Sequence, residues 1–163
     1  MTRSHQDRAW FCEELQRSKT SLYRLALSIT GDPEDAAEAV AEGVCRAYER
    51  FGQLRSREKF QPWLMKIVRN EAYALCRGRR RTVPLDQLAE EPAVPGPQVD
   101  DTLWRAVDQL PREQREAVVL FYYEDLTTEE IARVVGASPG AVRTRLSRAR
   151  DKLRNLLEVE HHG

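Results

Sequence analysis

Between Leu126 and Leu157 lie two helix starts separated by one glycine stop, and this punctuation limits the fold more than any other feature of the chain. Thr127 followed three residues later by Glu130 spells a capping box. In that motif the threonine oxygen accepts the glutamate backbone N–H, and the glutamate side chain reaches back to the threonine N–H. A short helix therefore starts there, carries Ile131, Val134 and Val135 on one apolar face, and stops at Gly136, a residue that leaves a helix at no steric cost. Ser138 then caps a second helix, with Pro139 at the first helical position, where a missing N–H costs nothing. The spacing predicts two short helices joined by a turn of about three to four residues.

The second helix can be read face by face at about 100° per residue. Val142, Leu146, Ala149, Leu153 and Leu156 fall within about 40° of one line and are expected to pack inward. Thr144, Ser147 and Arg148 lie opposite, with Arg143 and Arg145 on the flanks. Arginine can bond a guanine edge bidentately, and serine or threonine can take either partner. A face of that composition predicts a helix that reads the major groove of duplex DNA. Arg150 and Arg154 are expected to meet phosphates or water.

A chain of 163 residues with 26 basic and 26 acidic side chains looks unsuited to nucleic acid until the charge is divided along its length. Residues 1–81 hold 16 basic and 11 acidic groups, residues 82–110 hold 1 and 6, and residues 111–163 hold 9 and 9. The stretch TVPLDQLAEEPAVPGPQVDD contains Pro84, Pro92, Pro95 and Pro97 and few large apolar groups, which predicts an extended acidic linker over 82–101. The domains expected are then 1–81 and 102–163, each small but large enough for a helical core. No apolar run approaches the roughly 20 residues of a membrane span, and MTRSHQDRAWFCEEL lacks the apolar core of a signal peptide. The cytoplasm is the expected compartment. Cys12, Cys45 and Cys76 form no CxxC pair, and His5, His161 and His162 sit at the termini, so the cysteines read as small buried apolar residues. No metal, cofactor or small-molecule substrate is expected, and no phosphate loop or nucleophile–base set supports an enzyme.

The first 81 residues read as helix nearly throughout. Leu15, Leu22, Leu25, Ala26 and Ile29 recur at helical spacing up to Gly31, after which Asp32-Pro33 supplies a cap and a first-turn proline. The next helix, to Phe51-Gly52, is expected to bury Ala36, Val40, Val44, Ala47 and Phe51 and to turn Glu34, Asp35, Glu38, Glu42 and Glu49 to solvent. In FQPWLMKIVRNEAYALCRGRRR the core comes from Phe60, Trp63, Leu64, Ile67, Val68 and Leu75, while Lys66, Arg69, Asn70 and Tyr73 fall nearer the other side. Trp63 has two readings, a core anchor or a platform for a stacked base, a contact worth about 1–3 kcal/mol that requires exposure. Arg77, Arg79, Arg80 and Arg81 form a patch able to neutralise a nucleic-acid backbone. The predicted fold class is all-α: two small helical domains joined by the acidic, proline-rich linker.

Taken together, LYRLALSITGDPEDAAEAVAEGVCRAYERF, KFQPWLMKIVRNEAYALCRGRRR and LPREQREAVVLFYYEDLTTEEIARVVGASPGAVRTRLSRARDKL resemble, in order and spacing, regions two and four of bacterial RNA polymerase sigma factors of the extracytoplasmic-function group. The resemblance covers about residues 15–81 and 102–157. It implies a factor that binds core RNA polymerase and directs promoter-specific initiation. By the same resemblance, Asp35, Glu38 and Glu42, with Arg46 nearby, would dock on the clamp helices of the largest polymerase subunit. Lys66, Arg69 and Asn70, with Trp63, the loop Arg55 to Lys59 and the run Arg77, Arg79, Arg80 and Arg81, would open the minus-ten element and capture an unstacked base. Ser138, Arg143, Thr144, Arg145, Ser147 and Arg148 would read the minus-thirty-five duplex, and the apolar side around Leu120 and Phe121 would grip the flap tip of the second-largest subunit. The acidic linker would run toward the RNA exit path.

An anti-sigma factor, often membrane-bound in this family, is also implied. Ala41 and Val44 stand where the family commonly has glutamine and a large aromatic, and the loop QLRSREK is basic where a short glycine-bearing stretch is often seen. These departures point to altered clamp docking and altered minus-ten specificity. No further domain is expected from the terminal LEVEHHG. Two other readings remain. A free-standing helix-turn-helix regulator would leave the aromatic and basic N-terminal helices without a role, and a degenerate sigma-like protein would bind polymerase without opening DNA.

Overall fold

Three residues write the first turn of the chain. Gly31 takes φ +72, the left-handed region that glycine enters without strain. Asp32 then accepts the Asp35 N–H at 2.9 Å as an N-cap, and Pro33 occupies the first turn. In a computed structural model of the chain, residues 5–81 and 101–162 are described, with the side chains of 79–81, 101 and 159–162 left out. The linker expected over 82–101 thus lies, apart from the backbone of Asp101, outside the described residues.

Helices α1 (His5–Thr30), α2 (Pro33–Arg50) and α3 (Phe60–Arg81) form the first unit. Leu22, Leu25, Ala26 and Ile29 of α1 are buried, as their spacing predicts. In α2 the buried row is Ala36, Ala39, Gly43 and Ala47, so Val40 and Val44 are half-buried and not the core positions expected of them. Close approach of α3 explains the difference. A methyl group on Gly43 would stand 2.7 Å from Val68 Cγ2 and 3.0 Å from its Cα, so this seam selects small side chains over branched ones. At the far end of the seam Trp10, Phe11, Phe51, Phe60 and Trp63 form a ring cluster, with centroids 5.0 Å apart for Trp10 and Phe60 and 5.9 Å for Phe60 and Trp63. Cys12 and Cys45 are exposed and Cys76 is half-buried, contrary to the expectation of three buried cysteines. The buried faces of α1 and α2 pass through Phe11 and Gly43, and a step of about 100° per residue carries the neighbouring thiols outward.

Helices α4 (Asp101–Asp108), α5 (Arg112–Val118), α6 (Thr128–Val135) and α7 (Pro139–His162) form the second unit. Helix α5 runs on into a π-helical turn, Val119–Tyr123, in which the Glu124 N–H donates to the Val119 carbonyl at 3.1 Å. The described residues contain no strand. No helix among them is long and apolar enough to cross a membrane. The two units also touch: α3 lies against α6, and α1 lies against α5 and the π turn. The sequence gives no sign of this packing.

Overpacking at the α2–α3 seam costs about 1–3 kcal/mol, and the 3.0 Å contact to a backbone atom cannot be relieved by rotating Val68. Gly43→Ala is therefore expected to lower Tm despite the roughly 1 kcal/mol that alanine gains in helix propensity. Thermal unfolding followed by circular dichroism reads the sign, and a raised Tm contradicts the tight seam.

Candidate nucleic-acid interface

The punctuation of the C-terminal motif is present in the structure. Thr127 Oγ1 accepts the Glu130 N–H at 3.1 Å, and Glu130 Oε1 accepts the Thr127 N–H at 2.9 Å. Gly136 takes φ +70, and Ser138 Oγ accepts the Ala141 N–H at 3.1 Å at the start of α7. Val142, Leu146 and Ala149 are buried, while Leu153 and Leu156 near the end of the helix are half-buried. Ser138, Arg143, Thr144, Ser147 and Arg148 are exposed together. The Thr144 hydroxyl donates to the Gly140 carbonyl at 3.1 Å, which directs its hydrogen along the helix and leaves acceptor capacity on the oxygen. Arg145 is half-buried and lies 3.7 Å from Glu113 of α5, so it leans on its own bundle. Arg150 is exposed and donates to Tyr122 Oη at 2.7 Å. Arg154 pairs with Asp151 at 3.5 Å.

On α3, Lys66 and Asn70 are exposed and Arg77 follows on the surface; the side chains of Arg79, Arg80 and Arg81 lie outside the described residues. Trp63 is half-buried, so it serves as a core anchor while part of its ring remains accessible. It packs on Phe60 in the ring cluster and also lines a cleft of about 320 Å³ with Arg55, Lys59 and Lys66. The opposite wall of that cleft is Glu130, Arg133 and Val134 of α6. On α2, Glu38 and Glu42 are exposed and Asp35 is half-buried. Arg46 pairs with Glu71 at 2.8 Å. Leu120 is fully buried and cannot serve as an exposed grip, a correction to the expectation above; Phe121 is half-buried, and Tyr122, 50% exposed, presents the apolar surface there. Among the described residues no group of histidine, cysteine or carboxylate side chains could hold a metal ion.

Arg69 departs furthest from its expected place. It turns across the junction of the two units and bonds Glu116 of α5, with Nε meeting Oε2 and Nη2 lying 3.4 Å from Oε1. Tyr73 donates its hydroxyl to Glu116 Oε1 at 3.0 Å. The guanidinium carbons of Arg69 and Arg112 stand 4.4 and 5.4 Å from the centre of the Tyr73 ring. Glu116 itself is 1% exposed. A second pair repeats the pattern: Arg24 of α1 reaches Glu124 at 2.8 Å, and the Glu124 side chain is also 1% exposed. Two buried carboxylates of the second unit are thus each held by an arginine of the first. Sequence reasoning missed both glutamates. Their one signal is the run EAVVLFYYE, in which Glu116 and Glu124 bracket an apolar and aromatic stretch.

Burial pushes the Tyr73 phenol up to about 12; the adjacent Glu116 carboxylate adds to the rise and Arg69 opposes it. A phenol raised on folding contributes stability that is complete below its ordinary value near 10 and is lost as pH climbs toward about 12. Stability is expected to fall across that window, and Tyr73→Phe to remove part of the fall. Denaturant midpoints on either side of pH 10 measure it, and equal slopes in both proteins contradict the assignment.

Comparison with known proteins follows the same division. Residues 15–82 match sigma-70 region 2, and residues 100–153 match sigma-70 region 4. The chain is 32% identical over 164 residues to the ECF RNA polymerase sigma factor SigM of Mycobacterium tuberculosis, covering 96% of this chain and 82% of that protein. It is 35% identical over 147 residues to the probable RNA polymerase sigma factor RfaY of Xanthomonas campestris, covering 82% of this chain but 36% of the relative. Its fold is similar to that of the sigma factor RpoE in complex with the anti-sigma factor NepR from Bartonella quintana, with a TM-score of 0.75 at 28% identity over 91% of this chain and 97% of that one.

Proposed function

The chain belongs to the extracytoplasmic-function group of sigma-70 RNA polymerase sigma factors, and on that premise we propose a division of labour between its two units. The second unit reads the upstream promoter duplex through α7. The observation that carries this reading is the joint exposure of Ser138, Arg143, Thr144, Ser147 and Arg148 on a helix whose start is locked by a cap. Arginine and hydroxyl side chains so placed can bond base edges, while Arg145 on the flank can exchange Glu113 for a phosphate.

The first unit takes the downstream element. Extruding a base costs a few kcal/mol, which stacking and edge hydrogen bonds must offset. The cleft beside Trp63, with Arg55, Lys59 and Lys66 around it, can supply both. Asn70 and Arg69 follow Lys66 on α3, Arg77 is exposed further along, and the basic run of the sequence goes on with Arg79, Arg80 and Arg81. The exposed carboxylates Glu38 and Glu42, with Asp35 and the Arg46–Glu71 pair, suit a basic partner surface, which we assign to the clamp helices of core polymerase. Tyr122 takes the place expected of Leu120 at the flap tip. The protein contributes binding energy, the polymerase supplies the phosphoryl chemistry, and the site of action is the cytoplasm. The likeness to RpoE, solved with NepR, supports an anti-sigma factor as a further partner.

Run-off transcription with bacterial core polymerase, with and without the protein, on DNA from upstream of its own gene tests this reading. A discrete transcript that depends on the protein is expected. Stable binding to core without any transcript favours a degenerate sigma, and failure to bind core favours a free-standing regulator. Within an active complex, Arg143→Ala or Arg148→Ala is expected to relax discrimination at the upstream element by about 1–3 kcal/mol; an equal loss on every DNA sequence would identify phosphate contacts instead. Asp35→Lys with Glu38→Lys is expected to weaken binding to core, and unchanged affinity removes the proposed docking face.

A further inference from the structure

Residues 5–14 of α1 precede the match to sigma-70 region 2, which starts at residue 15. Two of them, Asp7 and Trp10, reach the loop between Phe51 and Phe60 that joins α2 to α3. The Trp10 ring lies parallel to that of Phe51, with 5.7 Å between centroids, and edge-on to that of Phe60 at 5.0 Å. Both feet of the loop therefore rest on one side chain of α1. Phe11, 2% exposed, backs the same two rings at 5.3 and 5.6 Å. The middle of the loop is held as well. Arg57 sets its guanidinium carbon 4.5 Å from the centre of the Trp10 ring, and its Nη2 donates to Asp7 Oδ1 at 2.6 Å.

These contacts divide the loop by direction. Gln53, Leu54, Arg55, Ser56 and Lys59 line the cleft beside Trp63, whereas Arg57 turns to α1. The two 3₁₀ turns of the loop, Phe51–Gln53 and Arg57–Lys59, have no side-chain cap, so the loop draws on contacts from outside for its shape. Shape matters here because a site that discriminates between bases needs its polar groups held within about 0.5 Å. Ordering a loose loop at the moment of binding would also cost affinity. We infer that Asp7 and Trp10 are positioning residues for base selection at the minus-ten element, holding the loop through Arg57 so that Arg55 and Lys59 face the cleft before DNA arrives. This rests on the minus-ten reading of the cleft proposed above, and adds to it residues from outside the matched region that act through the loop and not on the strand. It also gives the basic loop QLRSREK an internal division, in which Arg57 serves the fold while Arg55 and Lys59 serve the cleft.

Amide hydrogen exchange of the full chain, free in solution, tests the tether without DNA. The Leu54 and Lys59 N–H groups, which donate to the Phe51 and Ser56 carbonyls at 3.1 and 3.0 Å, report on the loop. Asp7→Asn keeps the size of the side chain and removes its charge. It is expected to speed exchange at both amides about threefold, the scale of an exposed ion pair, with α3 unchanged and Asp7→Glu near wild type. Trp10→Leu, which also withdraws the ring from Arg57, is expected to speed it about tenfold. Equal exchange in wild type and a folded Asp7→Asn overturns the tether. Base selection is then read with core polymerase carrying the full chain, on single-stranded DNA randomised at six positions and sequenced after binding. Wild type is expected to enrich particular bases, and Asp7→Asn to flatten the strongest preference about threefold while affinity for the upstream duplex stays the same. A merely structural role would weaken binding on every sequence alike, and preferences unchanged in Asp7→Asn overturn the positioning role. Tighter binding on every sequence would make Asp7 a mask over Arg57 and overturn it too. A wild-type complex without any base preference overturns the minus-ten reading itself, and base selection with it, while the exchange rates still decide the tether.

Discussion

The Glu116 carboxylate is 1% exposed, and its charge is compensated by donors that come from the other unit, Arg69 and the Tyr73 hydroxyl. Removing one partner of such a buried pair typically costs about 3–5 kcal/mol, because the remaining charge is stranded. That requirement ties α3 to α5, and the carboxylate adds to the rise that burial gives the Tyr73 phenol. It also turns Arg69 away from the surface that its neighbours Lys66 and Asn70 present. Arg24 and Glu124 repeat the arrangement at the π turn, where the Arg24 guanidinium also lies 5.1 Å from the centre of the Tyr123 ring. The relative placement of the units therefore involves two charge pairings beside an apolar core that runs through both units.

Local features of the fold were legible in the sequence because their causes are local. The Thr127–Glu130 box, the Gly136 stop and the Ser138-Pro139 start each involve residues within a few positions of one another, and all stand where the sequence places them. The inward stripe of α7 is equally local, being a matter of period. In α2 the period was read correctly but the row was not, since the tightest contact selects Ala39 and Gly43 over the more apolar Val40 and Val44. Hydrophobicity alone cannot indicate how near Val68 comes. Leu120 was misplaced for a different reason: the π turn adds a residue to the ladder and shifts the phase of the side chains that follow.

For the candidate site, exposure of the α7 face could be read from the chain and the fate of Arg69 could not. Arg69 and Glu116 are 47 positions apart, and no periodic pattern links them. Nor could the sequence show that the cleft beside Trp63 takes one wall from each unit. Both features arise where two separately encoded helical units meet.

The central claim is that the capped helix α7 presents Ser138, Arg143, Thr144, Ser147 and Arg148 together to the upstream promoter duplex. Methylation interference at guanine N7, with polymerase carrying this chain, tests it most directly, because N7 lies in the major groove. The account predicts that methylating particular guanines of the upstream element blocks binding, and that Arg143→Ala or Arg148→Ala removes the block at single positions. Binding that is indifferent to methylation throughout that element would contradict it.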